Sequence, residues 1–254
     1  MEFENKGEFN KSENEQENDL IKKRKDFLRE FFKRMHEQIK RGIESGIFGK
    51  IYEEQIKEIT KNIKEGSNIL EIGSYDGLLL EQLRNSKKDY KLTGSDIRDD
   101  SLKAIGEKVP EAEVIPFDII EDKFEDKFEE KFDVILMKFV LGCLPLKKAE
   151  LALNNEDRLL SLQEQEEIWD KALEKVKNNC KQFVLITPVL KEGIDAKDVE
   201  LRPTFVPDEI LKKLLNKHFK NKELLGLQKD ESDKDFNAEI YLLSEPIIDE
   251  KNGK

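Results

Sequence analysis

After Gly66 the sequence alternates short apolar runs with stretches of helical periodicity, and this alternation constrains the fold more than any other feature. The pattern is typical of a parallel sheet, because parallel neighbours need a long crossover, usually a helix. A short acidic link over residues 230–235 favours an antiparallel pair at the end of the chain. Strands are predicted at Asn68 to Ile72, Lys91 to Ser95, Glu113 to Pro116, Phe132 to Met137, Gln182 to Thr187, Glu223 to Leu227 and Ala238 to Leu243. The sequence therefore predicts an α/β fold.

Helical stretches lie between these runs, and two of them begin with clear start signals. Ser161 and Glu164 form a capping box, and Pro207 suits the first turn of a helix. Before residue 132 the motif Glu-Asp-Lys-Phe recurs every four residues, which predicts a short amphipathic helix packing its phenylalanines on the sheet. The other predicted helices run from Gly77 to Asn85, Asp99 to Lys108, Leu162 to Asn178 and Pro207 to Phe219.

Composition divides the chain into four regions. Residues 1–18 hold six glutamates and two lysines among other polar residues, and this acidic segment is predicted to be a disordered tail. Residues 19–64 have apolar positions three and four apart, which predicts an N-terminal helical cap. Residues 65–246 form the α/β domain, and residues 247–254 are predicted to be a flexible C-terminus.

Charge and cysteine content narrow the classes of protein. The 45 basic and 56 acidic residues give a net charge of −11, which argues against a surface coated in positive charge for duplex nucleic acid. The longest nearly apolar run, Val134 to Leu146, contains Lys138 and is shorter than the roughly 20 residues of a membrane helix. Two cysteines and a polar N-terminus without signal-peptide features predict a reduced, cytoplasmic setting.

The most informative stretch is residues 69–83, a predicted strand, a turn with glycines at 73 and 77, and a helix. Glycine in such a turn lets backbone N–H groups approach a ligand closely. Asp96 follows the next strand, 23 positions after Gly73, where an acidic residue accepts the hydroxyls of an adenosine ribose. Asp118 follows the third strand, where its carboxylate can accept from an adenine amino group. Because ligands of open α/β sheets bind outside the carboxyl ends of the strands, these features predict an adenosine-containing ligand.

The spacing argues against two common adenosine-containing ligands, NAD and ATP. A dinucleotide fingerprint needs glycine at positions 75 and 78, which hold Tyr75 and Leu78, and no phosphate-binding Gly-Lys-Ser/Thr follows any strand. Residues 71–77, Glu-Ile-Gly-Ser-Tyr-Asp-Gly, instead resemble the acidic-x-Gly-x-x-x-Gly motif of class I S-adenosylmethionine-dependent methyltransferases. The resemblance runs from about residue 64 to residue 244. It implies a Rossmann-like, mostly parallel sheet of seven strands in the order 3-2-1-4-5-7-6, helices on both faces, and S-adenosylmethionine as cofactor.

The resemblance also implies roles for individual residues. At the end of the fourth-strand motif, Lys138 is the candidate catalytic residue, able to orient an anionic acceptor or, when desolvated, to act as a base. Candidate substrate contacts are Phe139 and Arg202, and the insertion over residues 142–160 is predicted to be a lid or substrate wall. The implied cofactor-binding residues are Glu71, Gly73, Ser74, Tyr75 and Gly77 at the methionyl part, Asp96 and Ile97 at the ribose and adenine, and Asp118 and Ile119 at the adenine edge.

The favoured function is in-line methyl transfer to a small molecule, which needs positioning more than covalent chemistry. Structural roles are expected for His36, His218 and Trp169. Two alternatives remain open. Residues 19–41 carry nine basic and four acidic side chains, a net +5 that suits an RNA or protein substrate. The fold can also serve as a non-catalytic module that binds a cofactor or a partner. The sequence leaves the oligomeric state undetermined.

Overall fold

A computed structural model describes residues 56–86, 88–145, 160–190, 206–229 and 237–247, all of which belong to one compact unit. The predicted acidic tail, most of the N-terminal helical cap, the greater part of the 142–160 insertion and nearly all of the C-terminal segment lie outside the described residues. Arg202 and the acidic link over residues 230–235 lie outside them too.

The described residues form a mixed sheet with helices on its two faces. Strands β1 to β5 are mutually parallel along their shared pairings, and β8 runs antiparallel to both β5 and β7. The strands are β1 (Asn68–Ile72), β2 (Lys91–Asp96), β3 (Glu113–Pro116), β4 (Phe132–Lys138), β5 (Cys180–Leu190), β6 (Val206–Pro207), β7 (Phe219–Lys229) and β8 (Asn237–Pro246). The helices are α1 (residues 56–62), α2 (Leu78–Asn85), α3 (Asp99–Lys108), α4 (Leu162–Asn179) and α5 (Asp208–His218).

The strand order is β3-β2-β1-β4-β5-β8-β7, with the two-residue β6 paired to β5 off this path. Leaving β6 out of the numbering gives the predicted order 3-2-1-4-5-7-6, which the structure confirms. The predicted bounds of β1 and β3 match those observed. Strand β5 is longer than predicted because its partners differ along its length. It pairs with β4 and β8 over most of its residues, and its last two residues pair with β6.

Apolar side chains cover both faces of the sheet, as parallel strands between two helical layers require. On one face Leu70 and Ile72 pack in a cluster that includes residues of α4 and α5. On the other face Ile69 packs with residues of α1, α2 and α3. The buried isoleucines of α1, Ile56 and Ile59, belong to this second cluster, so the C-terminal part of the predicted cap packs on the sheet domain. No helix of the described residues is long and apolar enough to cross a membrane.

The connection between β3 and β4 differs from its prediction. The period-four motif forms no α-helix, and its only helical part is a 3₁₀ turn at Phe124–Asp126. Its last phenylalanine, Phe132, is the first residue of β4 and is therefore extended. The predicted packing is confirmed, because Phe117, Phe124, Phe128 and Phe132 converge in the core. The ring centroids of Phe117 and Phe128 lie 5.0 Å apart, edge to face, which is a favourable aromatic geometry.

Polar side chains of α4 form hydrogen bonds with the turn after β4 and with α5. The predicted capping box is present at the start of α4, between Ser161 and Glu164. Further along the helix, the indole N–H of Trp169 donates to the Leu141 carbonyl at 2.9 Å. Asp170 accepts from Lys217 at 2.6 Å and lies 2.7 Å from Nε2 of His218. Trp169 and His218 are both buried, so the structure gives them the structural environment that the sequence predicted.

Phe124 supplies a test of the aromatic cluster. Replacing it with alanine removes a ring that is 3% exposed and leaves a cavity, so we expect Phe124→Ala to lower the free energy of unfolding by about 3–5 kcal/mol. Urea unfolding followed by circular dichroism measures the change. Glu129→Ala, an exposed position in the same repeat, is the control and should change stability by less than about 0.5 kcal/mol. Equal effects of the two substitutions would contradict the packing described.

His218 makes stability depend on pH. Burial lowers the pKa of its imidazole, although the Asp170 carboxylate opposes that shift. The unfolded chain therefore binds a proton at His218 more readily than the folded protein does, and stability falls as the pH drops below about 6.5. We expect the stability of the wild type relative to His218→Gln to decrease between pH 8 and pH 5.5, by at most about 1.4 kcal/mol per pH unit. Parallel stability curves from urea titrations would contradict this expectation.

Candidate functional site

The turn between β1 and α2 has an unusual backbone. Gly73 and Gly77 have φ angles of 72° and 73°, in the left-handed region that favours glycine. A Cβ on Gly73 would collide with a methyl group of Val140, so packing as well as backbone geometry requires glycine there. Tyr75, between the two glycines, also has a positive φ of 54°. A bulky residue in this conformation carries strain of order 1–3 kcal/mol, and such strain is concentrated at functional sites.

Hydrogen bonds from β2 hold the start of this turn. The backbone N–H groups of Gly73 and Ser74 both donate to the Ser95 carbonyl, at 2.8 and 2.9 Å. The Ser74 hydroxyl donates to the Glu71 carbonyl at 3.0 Å and accepts from the Ser95 N–H at 3.2 Å. Ser74 therefore ties the first two strands together at their carboxyl ends.

Asp76 holds the other end of the turn. Its Oδ1 accepts from the N–H of Leu78, the first residue of α2, at 3.2 Å. Its Oδ2 accepts from Nζ of Lys108, the last residue of α3, at 2.6 Å. A negative charge at the start of a helix is stabilised by the helix dipole. Asp76 thus accepts from the first N–H of α2 and links that helix to α3.

The carboxylate of Asp96 lies where β2 ends and is 8% exposed. Its Oδ2 accepts from the Tyr75 N–H at 3.0 Å, and its Oδ1 accepts from the Arg98 N–H at 3.1 Å. The Arg98 guanidinium lies 5.0 Å from the centre of the Tyr75 ring and donates to the Ser101 hydroxyl at 2.6 Å. Arg98 was not among the residues predicted for the site. Its position two residues after Asp96, at the start of α3, was the one available signal.

Glu71 is buried beneath the turn, with an exposure of 2%. Burial raises the pKa of its carboxyl well above the ordinary value, the Ser74 hydrogen bond lowers it, and the charges of Asp76 and Asp96 raise it further. Its Oε2 has no hydrogen-bond partner among the described residues. A buried polar atom of this kind is costly unless something binds to it, so Oε2 is available to a donor group of a ligand.

The loop after β3 carries Asp118 and Ile119. Asp118 Oδ1 accepts from the Ile120 N–H at 3.0 Å, and the Asp118 N–H donates to Asp122 Oδ2 at 2.9 Å. The Ile119 side chain is buried in the core, so only its backbone is available to a ligand. Ile97, by contrast, is 54% exposed beside Asp96, an unusual exposure for a large apolar side chain.

The end of β4 holds Lys138 and Phe139. Lys138 is half-buried as a residue, but its Nζ is shielded from solvent, and burial lowers the pKa of its ammonium well below the ordinary value. Phe139 has a φ of 57°, the second strained conformation at these strand ends, and its N–H donates to the Ile186 carbonyl of β5 at 2.7 Å. The described start of the insertion, a 3₁₀ turn at Leu141–Cys143, includes buried residues and packs in the core.

Sheet topology brings these groups to one edge. Strand β1 lies between β2 and β4, so the direction of strand order reverses beside it. Parallel strands place their carboxyl ends together, and a crevice opens at such a reversal. The turn at residues 73–77, Asp96, Asp118 and Lys138 all follow or end strands at this edge. This arrangement can hold a polar ligand by carboxylate and backbone contacts, with a desolvated lysine nearby.

A family model described as a methyltransferase domain matches residues 70–162. No curated protein sequence matches the chain. The fold is similar to that of a TehB-like SAM-dependent methyltransferase from Corynebacterium glutamicum, with 17% identity, a TM-score of 0.50 and coverage of 82% of this chain and 97% of that chain. It is also similar to magnesium protoporphyrin IX methyltransferase from Synechocystis PCC 6803 with bound SAM, with 12% identity, a TM-score of 0.52 and coverage of 81% and 83%.

A third similar structure is the N-terminal domain of EvdMO1 with SAH bound, which has 13% identity, a TM-score of 0.53 and coverage of 76% of this chain and 80% of that chain. At these low sequence identities, the structural similarity shows the fold alone. The match to the family model covers the segment that contains the turn at residues 73–77, Asp96, Asp118 and Lys138. Residues 70–162 thus match a methyltransferase-domain family, and the fold of the described residues is similar to that of S-adenosylmethionine-dependent methyltransferases.

Proposed function

We propose that this protein transfers the methyl group of S-adenosylmethionine to a small molecule bound beyond the end of β4. The observation that carries the proposal is the setting of Asp96, a buried carboxylate at the end of β2 that accepts from the Tyr75 and Arg98 N–H groups. A carboxylate oxygen has two lone pairs, so each oxygen of Asp96 retains one acceptor position for a ribose hydroxyl.

The neighbouring residues suit the rest of such a cofactor. Glu71 Oε2, buried and without a partner among the described residues, offers an acceptor near the turn at residues 73–77. Asp118 and the backbone of Ile119 would hold the adenine edge, and the exposed Ile97 would cover the base. S-adenosylmethionine, when bound, supplies a methyl group on a sulfonium, which an acceptor nucleophile takes by in-line displacement.

Lys138 is the residue we assign to the acceptor. Burial lowers the pKa of its ammonium, so its neutral form is more populated near neutral pH than that of a solvated lysine. In that form the amine can take a proton from an acceptor, and in the charged form it can orient an anionic one. The strained Phe139 next to it fixes the direction in which β4 ends.

Two observations support a small-molecule acceptor. Magnesium protoporphyrin IX methyltransferase, one of the similar structures, acts on a small molecule by its name, and the EvdMO1 domain was also crystallised in the presence of SAH and D-fucose. The net charge of −11 is unfavourable for a broad nucleic-acid surface. The basic segment at residues 19–41 lies outside the described residues, so the described domain adds nothing to the RNA or protein alternative.

Asp96 supplies the direct test. Asp96→Asn keeps the shape of the side chain but removes its charge, so we expect the Kd for S-adenosylhomocysteine to rise about 10- to 100-fold, as for the loss of hydrogen bonds to a charged group. Isothermal titration calorimetry measures the affinity. Asp99→Asn, an exposed position at the start of α3, is the matched control and should leave the Kd unchanged. Wild-type protein that releases no heat with either S-adenosylmethionine or S-adenosylhomocysteine would overturn the proposed function.

Lys138 supplies a test of the transfer step. A metabolite pool incubated with methyl-labelled S-adenosylmethionine identifies the acceptor. With that acceptor we expect Lys138→Met to lower kcat by about 10²–10⁴, the usual contribution of a general base. The Kd for S-adenosylhomocysteine should stay within about twofold, because Lys138 is assigned to the acceptor.

The pH profile separates a base from a structural lysine. A base acts in its deprotonated form, so the wild-type rate should rise with pH through the lowered pKa of Lys138, and the variant should lose this limb. A variant that keeps both the wild-type kcat and the wild-type profile would remove Lys138 from the site.

A further inference from the structure

Lys175 of α4 is bonded to the loop that follows β3. Its Nζ donates to the carbonyls of Ile119, Ile120 and Asp122, each at 2.8 Å. An ammonium has three N–H donors, and all three are directed at this one loop. The contacts join residues more than 50 positions apart in the sequence. Lys175 therefore connects a helix on one face of the sheet to the segment that carries Asp118.

Local bonds make the loop stiff around Asp118. The Asp122 N–H donates to the Asp118 carbonyl at 2.9 Å, and the Asp118 N–H donates to Asp122 Oδ2 at 2.9 Å. The residues on either side of the loop, Phe117 and Phe124, touch each other in the aromatic cluster with ring centroids 5.3 Å apart. The loop is thus closed at its base, and its outer carbonyls converge on Lys175.

The positive charge of Lys175 stabilises the loop in addition to the three hydrogen bonds. Three carbonyl dipoles that point at one place repel each other unless a cation lies between them. Burial lowers the pKa of the Lys175 ammonium, and the neighbouring acidic groups Asp118, Glu121, Asp122 and Glu125 oppose that shift. Removing the charge would therefore leave the converging carbonyls without a cation between them and would weaken the compensation of the acidic side chains, of which Asp122 also pairs with Lys127 at 3.7 Å.

We propose that Lys175 is a positioning residue that sets the place of Asp118 and thereby the selectivity of the site for adenine. This inference rests on the proposed function, in which Asp118 accepts from the adenine amino group. Lys175 itself touches no ligand, and its effect is transmitted through the backbone of residues 119–122. We therefore expect Lys175 to affect base selectivity in addition to stability.

The test compares two ligands that differ at the base. S-adenosylhomocysteine offers an amino group to Asp118, whereas S-inosylhomocysteine presents a carbonyl oxygen that the carboxylate repels. We expect the wild-type ratio of the two Kd values, inosyl over adenosyl, to be at least about tenfold, as for a hydrogen bond to a charged group. Lys175→Met should bring the ratio to within about threefold of unity. Lys175→Arg, which keeps the charge and several donors, should retain most of it.

Lys171, an exposed lysine one helical turn earlier on α4, is the matched control, and Lys171→Met should leave the ratio unchanged. The ratio is insensitive to a partly unfolded sample, because the unfolded fraction weakens both apparent affinities equally. Where Lys175→Met does not fold, Lys175→Gln replaces it and should also lower the ratio. In an Asp118→Asn background, Lys175→Met should cause no further change, since coupled residues are non-additive.

The outcomes separate the two proposals. Wild-type protein that binds neither ligand contradicts the proposed function. Wild-type protein that binds both ligands equally contradicts the role of Asp118 and, with it, that of Lys175. A wild-type preference for adenine that persists in Lys175→Met or Lys175→Gln overturns the role of Lys175 alone and leaves the proposed function standing.

Discussion

Backbone groups at the ends of parallel strands need hydrogen-bond partners. The site of this protein depends on the groups that bond to the backbone after β1 and β2. Asp96 accepts one N–H from the turn after β1 and one from the start of α3. Ser95 adds a carbonyl that accepts two further N–H groups of the same turn. These bonds hold the left-handed backbone at Gly73 and Gly77 open at the edge of the sheet. The shape of the turn is therefore set by backbone hydrogen bonds together with the Asp96 carboxylate.

Backbone strain is concentrated at the same edge. Among the described residues, three non-glycine residues have a positive φ, and two of them lie at this edge: Tyr75 in the turn after β1, and Phe139 directly after β4. Each is held by the hydrogen bond of its N–H, to Asp96 in one case and to Ile186 in the other. The sheet can support this local cost because apolar side chains are buried on both of its faces. The same burial shifts the pKa of Glu71 upward and that of Lys138 downward.

Much of the fold was predictable because its signals are local. The capping box at Ser161 and Glu164, the bounds of β1 and β3, and the extent of α3 depend on residues within one turn or one strand. The helix predicted for the phenylalanine repeat was wrong for the opposite reason. A period of four fits a helix, but the rings pack equally well on short turns once Phe117 and the start of β4 supply the remaining contacts. Periodicity records which residues are buried and leaves the backbone that buries them undetermined.

By itself the sequence determined the α/β alternation, the glycine turn and the carboxylates at the strand ends, since spacing along the chain suffices to place residues at one edge of a parallel sheet. The strand order was expected only from the resemblance to a known family. Only the tertiary structure decided which side chains bind to the glycine turn and to the loop after β3 and hold them in place. These supporting contacts join residues far apart in the sequence: Arg98 and Tyr75, Lys108 and Asp76, and Lys175 and the loop after β3. The tertiary structure also decided the directions of the pKa shifts of Glu71 and Lys138, because burial causes both shifts. Burial is established only when the helices pack on both faces of the sheet.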